Sequence, residues 1–210
     1  SGTCSAELEQ GMEISGEFTL LANIASADHD FIGTIEDEQS FSSNITGITY
    51  PYRVYLPEGY HESNKSYPIL YATDGQWEFW RFSYVIETSN KEIILVAIEQ
   101  GPDDRRIIDY ALDGSHNYLD FLETEMLPLI ESTYRVDTSD RTLEGASWGG
   151  LLVRHALSRE MTVPLFKNFI SIDGSYWSSL QPPLINDISL YQEMEDIAFP
   201  TGSTLSANIY

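Results

Sequence analysis

The chain has 210 residues, of which 42% are hydrophobic, enough for one sizeable core and short for two. Its 33 Asp and Glu against 11 Lys and Arg give a formal charge of -22, which opposes attraction to nucleic-acid phosphates or anionic lipid headgroups and points to a small-molecule partner. A single cysteine, Cys4, leaves no internal disulfide and no thiolate metal cluster, and no apolar run approaches the ~18 residues of a membrane helix.

Residues Ser1 to Ile14 are rich in Gly, Ser and Glu and read as loose or only peripherally attached, followed by a short edge strand over Glu17 to Ile24. Residues 1–38 are therefore taken as an N-terminal extension and 39–210 as the folded domain. From Gln39 the pattern is β-like. Tyr52-Arg53-Val54-Tyr55-Leu56-Pro57 reads as one of two antiparallel opening strands, closed by the turn Pro57-Glu58-Gly59-Tyr60.

Two continuous apolar runs follow, Tyr67 to Ala72 and Glu92 to Ile98, and apolar character on both faces implies parallel strands covered by helices. Between them the aromatic stretch Trp77 to Ile86 reads as a helix. Tyr118, Phe121, Leu122, Met126, Leu129 and Ile130 recur at helical spacing before the strand Arg141 to Gly145. A helix behind Ser147 through Leu157 and a strand over Phe166 to Ile172 complete an alternation that predicts a doubly wound, mostly parallel α/β sheet with antiparallel N-terminal strands. Leu205 to Tyr210 is a candidate last element.

The chemistry gathers at Gly145-Ala146-Ser147-Trp148-Gly149, a G-x-S-x-G segment between a strand and a helix. Such a nucleophile elbow holds its serine on a tight turn, with glycines where any Cβ would clash, and the following helix aims its amides at the same point. Metal-ligand spacings such as H-E-x-x-H or C-x-x-C are absent, so neither metal nor cofactor is expected.

Several blocks occur together in order: Tyr52 to Pro57, Pro68 to Gly75, the Arg-x-x-Asp-Tyr block at Arg106 to Tyr110, Phe121-Leu122-Glu123 leading to Leu127 to Glu131, the elbow, and Ser175-Tyr176-Trp177. This set resembles the esterase family of α/β-hydrolases that contains enterochelin (siderophore) esterases, esterase D and feruloyl esterases, over roughly Gln39 to Ser179. The resemblance implies a serine ester hydrolase in which Ser147 is the nucleophile and the amides of Trp148 and Gln76 hold the oxyanion. Siderophore esterases are the branch most similar in the Asp-Gly loop and the Arg-x-x-Asp-Tyr block. Asp74, Gly75, Arg106 and Trp177 are then candidates for substrate contact. For Asp74 the alternative is a helix cap, and for Arg106 an ion pair with Asp109.

One departure stands out. In the family the catalytic histidine follows the elbow, whereas the 63 residues after Ser147 contain only His155, on the elbow's own helix. The expectation is a fold incomplete at its C-terminal side. Of the other histidines, His29 and His61 lie in polar loops, and His116, in the loop after Asp109, is the substitute base to test. The alternative is an inactive or fragmentary chain that binds a ligand or partner, and an exposed sheet edge would favour self-association. Compartment stays open between periplasmic or secreted and cytoplasmic.

Overall fold

A computed structural model describes residues 2–8, 12–18, 29–159, 165–175 and 208–210. In the N-terminal segment β1 (Gly2–Leu8) and β2 (Met12–Phe18) pair antiparallel as a two-stranded sheet of their own, Cys4 opposite Gly16 and Ala6 opposite Ile14. Apolar residues alternate with polar ones along both strands, a period-2 signal that the Gly, Ser and Glu content obscured. Of the edge strand expected over Glu17 to Ile24, Glu17 and Phe18 belong to β2 and the remainder lies outside the described residues.

The main sheet comprises β3 (Thr34–Ile35), β4 (Gln39–Ser42), β5 (Thr49–Leu56), β6 (Tyr67–Ala72), β7 (Ile94–Ile98), β8 (Val136–Ala146), β9 (Asn168–Ile172) and β10 (Asn208–Ile209). Its order is β10-β9-β8-β6-β7-β5-β3, with β4 also on β5. The pairs from β10 through β7 are parallel, and β5 joins β7, β3 and β4 antiparallel. This is the α/β arrangement with antiparallel opening strands that the alternation predicts.

Helices cover both faces. Helix α1 (Gly75–Thr88) buries Phe79 and Ile86 on Tyr55, Leu70, Ala72, Leu95 and Ala97. The opposite face packs Tyr71, Val96 and Leu143 against Phe121 of α3 (Leu112–Phe121), Ile130 of α4 (Leu127–Thr133) and Leu152 of α5 (Trp148–Arg159), with a π-helical turn, Leu122–Met126, joining α3 to α4. β7 is fully buried along all five residues, as a strand between two helical layers must be.

The strand order positions the site. From β6 the chain winds to β7 on one side and then crosses to β8 and β9 on the other, so the switch point lies between β6 and β8. Connections leaving these neighbouring strands at their carboxyl ends diverge and open a crevice there. The two connections are Thr73 to Gly75 and Ala146 to Trp148.

Candidate active site

Ser147 sits between the last residue of β8 and the first of α5 with φ 55°, the left-handed region that a non-glycine residue occupies only at a cost. Its N–H donates to Ile172 O at 2.9 Å and its carbonyl accepts from Leu151 N at 3.2 Å, which starts the helix. The tightness of the turn explains the glycines. A Cβ on Gly145 would lie 2.3 Å from backbone atoms of Gly149, and one on Gly150 would lie 2.8 Å from Gly174 Cα. The elbow predicted from G-x-S-x-G is therefore present in backbone form.

The second wall of the crevice is the turn after β6. Thr73 N donates to Glu144 O at 3.1 Å, extending the β6–β8 ladder to the edge of the site. Asp74 then takes φ 55°, and α1 begins at Gly75. A Cβ on Gly75 would meet Ala97 backbone atoms at 2.7 Å, so only glycine lets the helix start this close to β7. The amides of Gln76 and Trp148 both belong to first helical turns, where no intrahelical acceptor exists. Two helix N-termini thus border one crevice, a geometry suited to developing negative charge. The Gln76 side chain is held separately, its Oε1 accepting from Gln100 N at 3.0 Å.

Asp74 is buried at the N-cap position of α1, yet its side chain makes no cap hydrogen bond. Instead Arg106 Nη2 donates to Asp74 Oδ2 at 2.6 Å. Burial pushes the Asp74 carboxyl up from its ordinary value, against the pull of Arg106. Both sequence alternatives are corrected here: Asp74 does not cap through its side chain, and Arg106 does not pair with Asp109. The neighbouring Arg105 takes that role at 3.0 Å, while Tyr50 donates to the other Asp109 oxygen at 2.8 Å. Helix α2 (Arg106–Asp109) turns Arg106 towards the crevice, with its guanidinium 5.2 Å from the ring centre of the exposed Trp77.

The other aromatics divide. Phe79 is core, and Trp80 and Phe82 of the same helix pack, partly buried, against the cluster around it. Trp177 and Tyr176 lie outside the described residues. Asp173 adopts φ 47° in the turn before Gly174.

None of the described histidines is brought to Ser147. His116 is not in a loop: it is an exposed residue of α3, and its carbonyl accepts from Arg159 at the far end of α5. Arg159 lies twelve residues beyond Ser147, about 18 Å along a helix axis, so this contact ties the His116 backbone to the far end of α5. His155 is buried on α5, and burial with the neighbouring His116 and Arg154 pushes its imidazole down to about 3. His29 contacts Glu87 at 2.8 Å and His61 packs edge-on to Tyr60.

Two residues were not anticipated as parts of the site. Ser147 Oγ lies 2.9 Å from Ser175 Oγ, a hydroxyl that the sequence shows only as the first residue of the Ser175-Tyr176-Trp177 block, with no sign of its contact with the elbow. Behind the elbow, Glu144 is wholly buried with neither carboxylate oxygen hydrogen-bonded. Burial, with Glu78 and Asp74 nearby, pushes its carboxyl up to about 9.

With that geometry in view, likeness to known proteins becomes specific. The IroE-like serine hydrolase from Shewanella oneidensis is 27% identical with a TM-score of 0.66, over 75% of this chain and 55% of that one. This chain therefore aligns with little more than half of that hydrolase's length. The enterobactin and salmochelin hydrolase IroE matches at 20% identity and TM-score 0.61, over 88% of each chain. The siderophore hydrolase EstB from Aspergillus nidulans matches at 20% identity and TM-score 0.63, over 76% of this chain and 64% of its own. At that identity the last two speak for the fold. A family model covers residues 43–170, from just after β4 into β9, and on that match the chain belongs to the putative esterase family.

Proposed function

We propose that this chain carries the nucleophilic half of a serine carboxylic-ester hydrolase. Ser147 Oγ attacks the ester carbonyl, the C–O bond to the alcohol breaks, and the alcohol leaves with a proton. Water then attacks the Ser147 acyl ester, releasing the acid and restoring the hydroxyl. Through both tetrahedral stages the amides of Trp148 and Gln76 hold the oxyanion. The observation that carries this reading is the left-handed Ser147 set between two helix N-termini at the switch point.

The wall beside the serine supports a substrate class. Arg106, held on Asp74 and lying over Trp77, presents a cation and an exposed ring to an acyl or alcohol group, which suits aromatic, oxygen-rich esters of the siderophore kind. The likeness to an enterobactin and salmochelin hydrolase and to a siderophore hydrolase supports that choice. Hydrolysis of p-nitrophenyl acetate, compared with a Ser147→Ala control, tests the activity.

A second reading is favoured by one observation: among the described residues, the side-chain partner of Ser147 is a hydroxyl, which cannot serve as a general base near neutral pH. On this reading the chain binds a ligand or partner without turnover. It predicts the same p-nitrophenyl acetate rate for the wild type and Ser147→Ala.

A further inference from the structure

We infer that Ser175 is a positioning residue for the nucleophile, its hydroxyl donating to Ser147 Oγ; this rests on the reading of Ser147 given above. Three contacts draw the end of β9 around the elbow. Ser147 N donates to Ile172 O at 2.9 Å, Ser175 N donates to Ser147 O at 2.9 Å, and the two hydroxyl oxygens lie 2.9 Å apart. Between the first and last of these, Asp173 at φ 47° reverses the chain. Gly174 lies so close to α5 that a Cβ on Gly150 would stand 2.8 Å from its Cα. Ser175 itself is buried, 3% exposed, so its hydroxyl is held at the elbow and not free to turn out into solvent.

Either hydroxyl can donate across this distance, and the direction inferred is the one that leaves Ser147 able to react. A serine hydroxyl has one proton and two acceptor lone pairs. If Ser147 donated to Ser175, its proton would be engaged by a group too weakly basic to remove it. With Ser175 as donor, one Ser147 lone pair is fixed, a single rotamer is selected from three, and the Ser147 proton stays available to a base. Held in that rotamer before substrate arrives, Oγ keeps its second lone pair aimed at the ester carbonyl, which raises the chemical rate and leaves substrate affinity alone.

The test compares saturable labelling by an alkyl fluorophosphonate in the wild type, Ser175→Ala and Ser175→Thr, with melting temperatures alongside. Loss of one such hydrogen bond should lower the maximal labelling rate of Ser175→Ala about tenfold, while the half-saturating probe concentration stays within about twofold. Ser175→Thr, which keeps the hydroxyl, should recover most of that rate. Equal maximal rates in the wild type and Ser175→Ala would overturn the inference while leaving Ser147 a nucleophile. Equal losses in the Ala and Thr variants would also overturn it, by assigning the effect to packing. A wild type that does not label defeats the reading of Ser147 itself, and the role of Ser175 with it.

Discussion

Arg106 Nη2 stands 2.6 Å from Asp74 Oδ2, joining the short helix α2 to the turn that carries the proposed oxyanion amide of Gln76. Both side chains are largely buried, 16% and 3% exposed, so removing one partner strands the other's charge. Arg106→Ala should destabilise the protein by about 3 kcal/mol or more at neutral pH. Burial already raises the Asp74 carboxyl, and without Arg106 it would rise further. Acidification then neutralises the stranded group, so the melting-temperature deficit of Arg106→Ala should be larger at pH 8 than at pH 4.5. Asp74→Asn/Arg106→Ala should melt above the single Arg106→Ala variant; equal deficits at both pH values would contradict this account.

The approach of the two walls at Gly149 gives a packing prediction. A Cβ there would lie 2.3 Å from Thr73 Oγ1, and Thr73 is buried. Gly149→Ala should cost about 1–3 kcal/mol by overpacking. Thr73→Ala removes the obstructing atom, so the double variant should be more stable than the two single effects predict when summed. A denaturant-melt double-mutant cycle measures that coupling, and strict additivity would place the two residues out of contact.

Glu144 makes stability depend on pH with a definite sign. Its ordinary carboxyl value is 4.5, and in the folded protein burial raises it to about 9. Between those values the folded state holds a proton that the unfolded state has lost, so the group's contribution to stability falls as pH rises through the window. Below it, both states are protonated and the penalty vanishes. Glu144→Gln, neutral throughout, should therefore match the wild type near pH 4 and melt progressively higher than it up to pH 9. A melting difference that does not change with pH would show that Glu144 ionises normally.

Much of the architecture was legible because burial leaves a simple signature. The run Tyr67 to Ala72 is apolar throughout and bounded by polar residues, and it coincides with β6. Gly145 and Gly149 announced the elbow because their missing Cβ atoms are what the turn requires. Pairings between distant side chains left no such mark. Arg105 and Arg106 are adjacent and chemically identical, and only the curl of α2 sends one to Asp109 and the other to Asp74. The Ser147–Ser175 contact spans 28 residues and depends on the reversal at Asp173, so spacing could not reveal it. Gly, Ser and Glu masked the alternation of the N-terminal hairpin, while helical periodicity before Ser147 extended further back than was read, into His116.

That last difference is itself testable. His116 lies on the exposed face of α3 beside Arg159, so His116→Ala should leave fluorophosphonate labelling of Ser147 within about twofold of the wild type. A loss of a hundredfold or more would return His116 to the site as a base.

The central claim is that Ser147 is an activated nucleophile. The most direct measurement is incubation of the folded protein with a fluorophosphonate, followed by mass analysis of the intact chain and its peptides. The account predicts one adduct per chain, on the peptide containing Ser147, and none on Ser147→Ala. Absence of an adduct from wild-type protein that retains its folded circular-dichroism spectrum would contradict it.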